Sequence, residues 1–514
     1  MDWTSGYASD LVYTAGFYRE QSPVYLNYGC ILNGIEPVDL DREFTYFELG
    51  FGRGVTSNLL AASHPNGRFY AADFNPAHVA GARQIAAAAE LDNLRLLENS
   101  FEELAKGAVA DLPQFDFITL HGIYTWVTAE NRQYIVDFLT RYLKPGGIVY
   151  LSYNAMPGWA SSLPLQRLIV DHAELNPARS DVQMDNASDF IAKLSSLNPA
   201  YLANNLSAES RVKKLKTAKK NYLVHEYMHK HWQPMYHADV ARDLANAKLE
   251  YVGSAELHNV YRGLYLNPDR MAFLNSISDP TMRETVVDYM TNTAFRKDIF
   301  VRGARRINSA RQAELLNTAG IALSIPAKDL ATKVSLVNCE FTGSSQIYDP
   351  VFEAIKDGPK TIRELSELPS MRGKKISTIA EIVTLLVASN QVSIFFESRK
   401  SLDKAAAKRM NAVIAKQVQY GDEFHAYCST LTGCGVSASY QENLLLWAML
   451  NHPGIEDAEK LARFAVRILY AQNLQLLKDG KAIVGDEENA LELQAQFAQF
   501  IEHKVPVWKS LGLF

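Results

Sequence analysis

One heptapeptide limits the fold more than any other stretch of these 514 residues. Glu48-Leu49-Gly50-Phe51-Gly52-Arg53-Gly54 follows an apolar run at 44–49 that reads as a buried strand, and the segment after it reads as helix. Three glycines at alternate positions in such a turn meet two demands. The backbone can take angles that a side chain opposes, and a ligand can approach the main chain itself. A strand–glycine turn–helix unit belongs to a parallel α/β sheet, and the chain continues accordingly. Further strands are predicted at 68–72, 94–97, 115–120 and 148–153, with helices over 80–90 and 131–143 between them. Lys144-Pro145-Gly146-Gly147 is predicted to break the second helix ahead of the fifth strand. Two later runs, 249–255 and 298–301, complete a seven-stranded sheet.

Beyond that sheet the pattern changes. Residues 160–220 lack strand alternation and read as helical. From Asp349 onward three short helices (349–356, 361–368, 375–389) precede a strand, 391–396, in the order of a winged helix-turn-helix. The rest, from Leu402, is helix-rich. The predicted organisation is a lead-in at the substrate entrance (1–43), an α/β core (44–159), a helical middle insertion (160–222), a segment completing the sheet (223–305), a winged-helix-like domain (306–400) and a helical C-terminal domain (401–514). A chain of this length needs several such units.

Composition narrows the function classes. With 52 basic and 57 acidic side chains the formal net charge is −5, which argues against a nucleic acid as obligatory partner. Cys30, Cys339, Cys428 and Cys434 form no CxxC pair, so neither a disulfide framework nor a zinc ribbon is expected. The N-terminus has no signal-peptide pattern, and no apolar run reaches the ~18 residues of a membrane span. A cytoplasmic protein without membrane insertion is the expectation.

The glycine loop also discriminates between ligands. A dinucleotide loop, G-x-G-x-x-G, would need glycine at position 55, where Val55 stands. The E-x-G-x-G-x-G pattern resembles class I methyltransferases dependent on S-adenosylmethionine (SAM), with a Rossmann-like sheet. The resemblance implies SAM as cofactor and S-adenosylhomocysteine as product. It places Glu48, Gly50, Gly52 and Gly54 at the ligand. Asp73, ending the next strand, is positioned to take both ribose hydroxyls, because a carboxylate accepts two hydrogen bonds at once. Phe74 can pack on the adenine, and Asn99-Ser100-Phe101 stands where such enzymes contact its amino group.

The fourth strand ends in His121-Gly122-Ile123-Tyr124-Thr125-Trp126-Val127, and the fifth in Ser152-Tyr153-Asn154-Ala155-Met156-Pro157-Gly158-Trp159. With His225-Glu226-Tyr227, Pro234-Met235-Tyr236 and the run 251–256, these resemble bacterial methyltransferases carrying a methyltransferase regulatory domain. The characterised members are the rickettsial protein-lysine methyltransferases, which modify outer-membrane proteins. The resemblance is specific over 44–302 and architectural beyond; the lead-in from Tyr13 to Gly34 departs from the family. It implies N-methylation of lysine side chains on a protein, possible acceptors including surface or outer-membrane proteins. Tyr124 and Trp126 are the candidates for an aromatic acceptor slot, with polar contacts from Tyr153 and Asn154. His121, also a candidate at the cofactor, either relays a proton or shapes the turn, and Tyr124 and Trp126 have the alternative of being core aromatics. A small-molecule methyltransferase and a non-catalytic SAM-binding or winged-helix scaffold are the competing functions.

Three signals point elsewhere. His225-Glu226-Tyr227-Met228-His229 matches H-E-x-x-H, the zinc-peptidase motif, but the family resemblance accounts for it without metal, and no metal site is expected. The basic run 211–220 reads as a solvated helix face or a steering patch. The winged-helix segment, with Arg372-Gly373-Lys374-Lys375, is too weakly basic for a groove reader in an acidic chain.

Overall fold

The computed structural model describes residues 15–478 and 481–514. Residues 1–14, including Tyr13 and the start of the predicted lead-in, lie outside them. The architecture is α/β, organised by a seven-stranded sheet built from β1 (Phe44–Leu49), β2 (Gly67–Asp73), β3 (Leu94–Glu98), β4 (Phe115–Leu120), β5 (Leu143–Asn154), β6 (Leu249–Ser254) and β7 (Phe295–Arg302). Their order is β3-β2-β1-β4-β5-β7-β6. β1 to β5 run parallel, and β7 lies antiparallel between β5 and β6. Every residue of β1 is buried, as a central strand covered on both faces requires. The chain turns from building leftward (β1 to β3) to building rightward (β4, β5) at the β1/β4 boundary. Open parallel sheets bind ligands at such a switch point, outside the carboxyl ends of the strands.

Helices α1 (Pro23–Leu32), α2 (Val55–Ser63), α3 (Pro76–Ala88), α4 (Phe101–Lys106) and α5 (Ala129–Tyr142) cover this sheet. Asn75, Ser100 and Thr128 cap α3, α4 and α5 through side-chain oxygens, which accept backbone N–H bonds, so each helix begins where the sequence offers a cap. The Lys144-Pro145-Gly146-Gly147 turn is not a connection ahead of the strand, as predicted, but a bulge inside it. Leu143 already pairs with Phe115, and Ile148 pairs with Phe117, so four residues bow out against Asp116. Gly146 at φ +80° allows the bow, and Lys144 Nζ folds back to Asp116 Oδ2 at 2.7 Å.

Residues 163–227 form helices α6 (Leu163–Leu175), α7 (Ser180–Ser196), α8 (Ala200–Ala203), α9 (Leu206–Leu215) and α10 (Lys220–Tyr227), followed by α11 (His237–Ala245). α6 to α10 share an apolar cluster with Trp159 and Trp232, against which Trp126 packs. Further on, Ala319–Leu323 is flanked antiparallel by Lys360–Thr361 and Val392–Phe396. With helices Ser345–Lys356, Ile362–Ser366 and Ile376–Ala388 they make the winged-helix-like unit. α1 is buried from Pro23 through Ile31, because its sequence is apolar on nearly all sides. Its apolar cluster continues through the winged-helix unit to the C-terminal helices.

Candidate functional site

The carboxyl ends of β1, β2 and β4 open into a crevice with two connected chambers. The wider one, about 460 Å³, is walled by Gly50, Asp73, Phe74, Glu98, Asn99, Ser100, Phe101, Trp126 and Val127, among others. The narrower one, about 120 Å³, shares Gly50, Asp73, Phe74, Phe101, Trp126 and Val127 with it. It adds Gly16, Tyr18, Glu48, Gly52, His121 and a wall from α10.

Gly50, Gly52 and Gly54 all have positive φ, at +68°, +58° and +72°. A Cβ at Gly50 would meet Ile123 Cδ1 at 2.6 Å and one at Gly54 would meet the Ala82 methyl at 2.5 Å, so any side chain there displaces neighbours. Asp73 holds the loop in shape. Its Oδ2 accepts the Gly52 N–H at 2.8 Å, while Oδ1 accepts the Asn75 N–H at 2.9 Å and lies 3.2 Å from His78 Nδ1. Glu48 stands below the loop, its oxygens taking hydrogen bonds from Gln21 Nε2 at 3.1 Å and from the Ser57 hydroxyl. Burial, reinforced by the charge of Asp73, raises its carboxyl to about 7. Ser100 and Glu103 close α4 with a reciprocal capping box, and the Asn99 N–H bonds the Asp73 carbonyl, which fixes the third strand's turn against the second.

These groups fit SAM. The loop exposes backbone where a Cβ would clash, an acid ends β2, and Phe74 and Phe101 flank the wider chamber. Of the predicted cofactor residues, Glu48, Gly50, Gly52, Asp73, Phe74, Asn99, Ser100, Phe101 and His121 border one or both chambers, while Gly54 lines neither and caps the start of α2.

The predicted acceptor residues part company. Trp126 borders both chambers, with its ring 5.1 Å from that of His229 and 5.8 Å from that of Trp232. Tyr124 points the other way. It is fully buried among residues of α5 and α11, and its hydroxyl donates to Asp243 Oδ2 at 3.1 Å. One residue of turn, Thr125, separates the pair, enough to send their rings to opposite sides of the strand end. Tyr153 is likewise buried and donates to Asp298 Oδ2 at 2.7 Å, beneath the sheet's far edge. Asn154 continues β5 toward Met235, whose N–H its carbonyl accepts, and borders neither chamber. The expected slot of Tyr124, Trp126, Tyr153 and Asn154 thus reduces to Trp126. His121 borders the narrow chamber, stacked on Tyr18 with ring centroids 3.6 Å apart, and its Nδ1 lies 2.9 Å from the Tyr150 hydroxyl. Burial pushes its imidazole down to about 3, so it stays neutral at working pH.

The wall that the sequence did not predict comes from α10: Tyr222, His225, Glu226 and, just past it, His229 line the narrow chamber. Its signal was visible in the sequence as H-E-x-x-H. The helix ends at Tyr227 and Met228 caps it, so His229 leaves the helical face that a zinc pair would share. The two imidazole centroids are 6.0 Å apart, and among the described residues no group of three metal-ligating side chains assembles. The neighbouring basic run is engaged locally: Lys213 pairs with Glu209, Lys220 with Asp185, and Arg211 lies over the Trp159 ring, 3.4 Å from its centroid.

Comparison with known proteins agrees with this geometry. A methyltransferase domain model matches residues 40–238, and a predicted methyltransferase regulatory domain model matches 219–302. The uncharacterized protein sll1526 of Synechocystis sp. is 34% identical, with 100% of both chains covered. The uncharacterized protein RP789 of Rickettsia prowazekii is 21% identical over 94% of this chain and 90% of its own. Among solved structures, PKMT2 from Rickettsia typhi in complex with AdoHcy shares the fold over 96% of this chain and 98% of that one, with a TM-score of 0.70 at 18% identity.

Proposed function

We propose that this chain, which belongs to one family with the uncharacterized protein sll1526 of Synechocystis sp., methylates the side-chain nitrogen of lysines on a protein substrate. It is a SAM-dependent methyltransferase of the Rossmann-like class. When bound, SAM supplies an electrophilic methyl group on a sulfonium, which an unprotonated nitrogen must meet in line.

The observation that carries the lysine reading is the narrow chamber beside the glycine loop. Tyr18, Trp126 and Tyr222 give it aromatic surface. Aromatic, poorly hydrated surroundings disfavour the ammonium form, and so lower the cost of presenting a free amine. Ring faces also attract the methylated cation that results. Holding the amine at the methyl group supplies much of the rate, since a misplacement of about 1 Å costs on the order of a hundredfold. In this reading Glu48 and the loop hold the cofactor's amino-acid end, Asp73 its ribose, and Phe74 with residues 99–101 its base. The resemblance of the 121–127 and 152–159 motifs to the rickettsial protein-lysine methyltransferases supports a protein acceptor, and surface or outer-membrane proteins are the first to try.

The test is incubation of the enzyme with methyl-labelled SAM and fractionated lysate, followed by mass spectrometry of labelled species. The expected result is label on lysine nitrogens of one or a few proteins. Label confined to small molecules, or to oxygen or carbon positions, would overturn the reading.

A further inference from the structure

α10 brings a carboxylate to the narrow chamber. Glu226 lines the narrow chamber together with the glycine loop, His121 and Trp126. It forms an ion pair with Arg211 of α9 at 4.0 Å, and that guanidinium also lies over the Trp159 ring, 3.4 Å from its centroid. Lys214 of α9 and Tyr222 of its own helix also act on it, His225 and His229 line the chamber beside it, and Glu48, Arg53, Asp73, His78 and His121 border the same chamber. Its side chain keeps 17% of its surface exposed, so the carboxylate is sheltered yet reachable from the cavity.

We infer that Glu226 is the acceptor-side carboxylate of the site, receiving the cationic amine and taking its proton before methylation. The inference rests on the amine-acceptor reading above and adds the residue that recognises the amine. The step balances simply. The ammonium N–H bond breaks, the proton passes to a Glu226 oxygen, and the bonding pair remains on nitrogen as the nucleophilic lone pair. Burial raises the Glu226 carboxyl to about 7, against the pull of Arg211 and Lys214, which suits a group that must accept and later release a proton near neutrality. The aromatic wall and the carboxylate then divide the work, one favouring the free amine and the other removing the proton.

The probe need not be the unknown acceptor. Sinefungin carries an amine where SAM carries its transferable methyl, whereas S-adenosylhomocysteine carries nothing there, and both share the nucleoside and amino-acid ends. Calorimetry of both ligands on the full-length wild type and on Glu226→Gln isolates the amine. The expected result is that Glu226→Gln binds S-adenosylhomocysteine as the wild type does but loses about tenfold or more in sinefungin affinity, the worth of a hydrogen bond between charges. In the wild type the preference for sinefungin should also shrink as pH falls through about 7, where Glu226 takes up a proton, and should be flat in Glu226→Gln. An equal ratio of the two affinities in both proteins overturns the inference. An equal loss for both ligands also overturns it, placing Glu226 at the cofactor's own amino group. Labelling of lysines reports on the amine-acceptor reading separately, so the two can fail independently.

Discussion

Asp73 is the residue on which most of the cofactor site turns. Its carboxylate accepts from the N–H groups of Gly52 and Asn75 and lies 3.2 Å from His78 Nδ1, so it shapes the glycine loop at the place proposed for the ribose. Asp73→Ala is therefore expected to weaken SAM by about 1.5–3 kcal/mol, the range for hydrogen bonds to a charged group, and to lower the melting temperature slightly. Gly52→Val should abolish binding more completely, because a β-branched side chain is strained at φ +58° and fills the ligand's side of the turn. Titration calorimetry on both variants decides; unchanged SAM affinity in both would remove the loop and Asp73 from the site. The loop and the acid were legible from spacing alone, since both lie at strand ends fixed by local pattern. The loss of Tyr124 from the acceptor slot was not, because side-chain direction in an irregular turn depends on what packs on either side.

At the scale of elements, the turn after β4 feeds two environments. Trp126 goes into the crevice, while Tyr124 fills the core between α5 and α11. Tyr124→Phe should keep both SAM binding and methyl transfer, and cost about 1 kcal/mol of stability for the hydroxyl's bond to Asp243. Trp126→Ala should leave SAM affinity within a few-fold and cut transfer on the order of a hundredfold by misplacing the acceptor. Melting curves, SAM titrations and transfer assays on the same preparations check this pair. Equal loss of transfer in both variants would return Tyr124 to the site. α10 teaches the complementary lesson. Its i, i+4 histidines invite a metal reading only if the helix continues to His229, and the local sequence leaves its stop after Tyr227 unmarked.

Over the whole molecule, the C-terminal half is docked on the cofactor domain through a buried cation. Arg399 donates to the carbonyl of Ser63, at the end of α2, and to those of Thr430 and Leu431. Burial lowers its guanidinium to about 9, so it remains charged at neutral pH. Arg53 in the glycine loop also pairs with Glu423. Arg399→Ala strands three carbonyls inside the protein and should cost about 2–4 kcal/mol. Because α2 springs from the glycine loop, SAM affinity should fall with stability. A lowered melting temperature with weakened SAM binding is the expected pair of readings; an unchanged melting temperature would show that this contact does not hold the halves together.

The sequence by itself determined the parallel sheet, its glycine loop, the acid of β2 and the winged-helix order. Each is written within a few residues, in hydrophobic period, turn chemistry or motif spacing. It also marked the stretch 225–229 without saying what the stretch does. The tertiary structure alone decided that α10 closes the crevice opposite the glycine loop, 175 or so residues away along the chain, and that α1 is a core helix. It also turned the Lys-Pro-Gly-Gly turn into a bulge within β5. Those outcomes depend on which surfaces are buried together, and contacts between distant segments leave no period or spacing in the sequence to read.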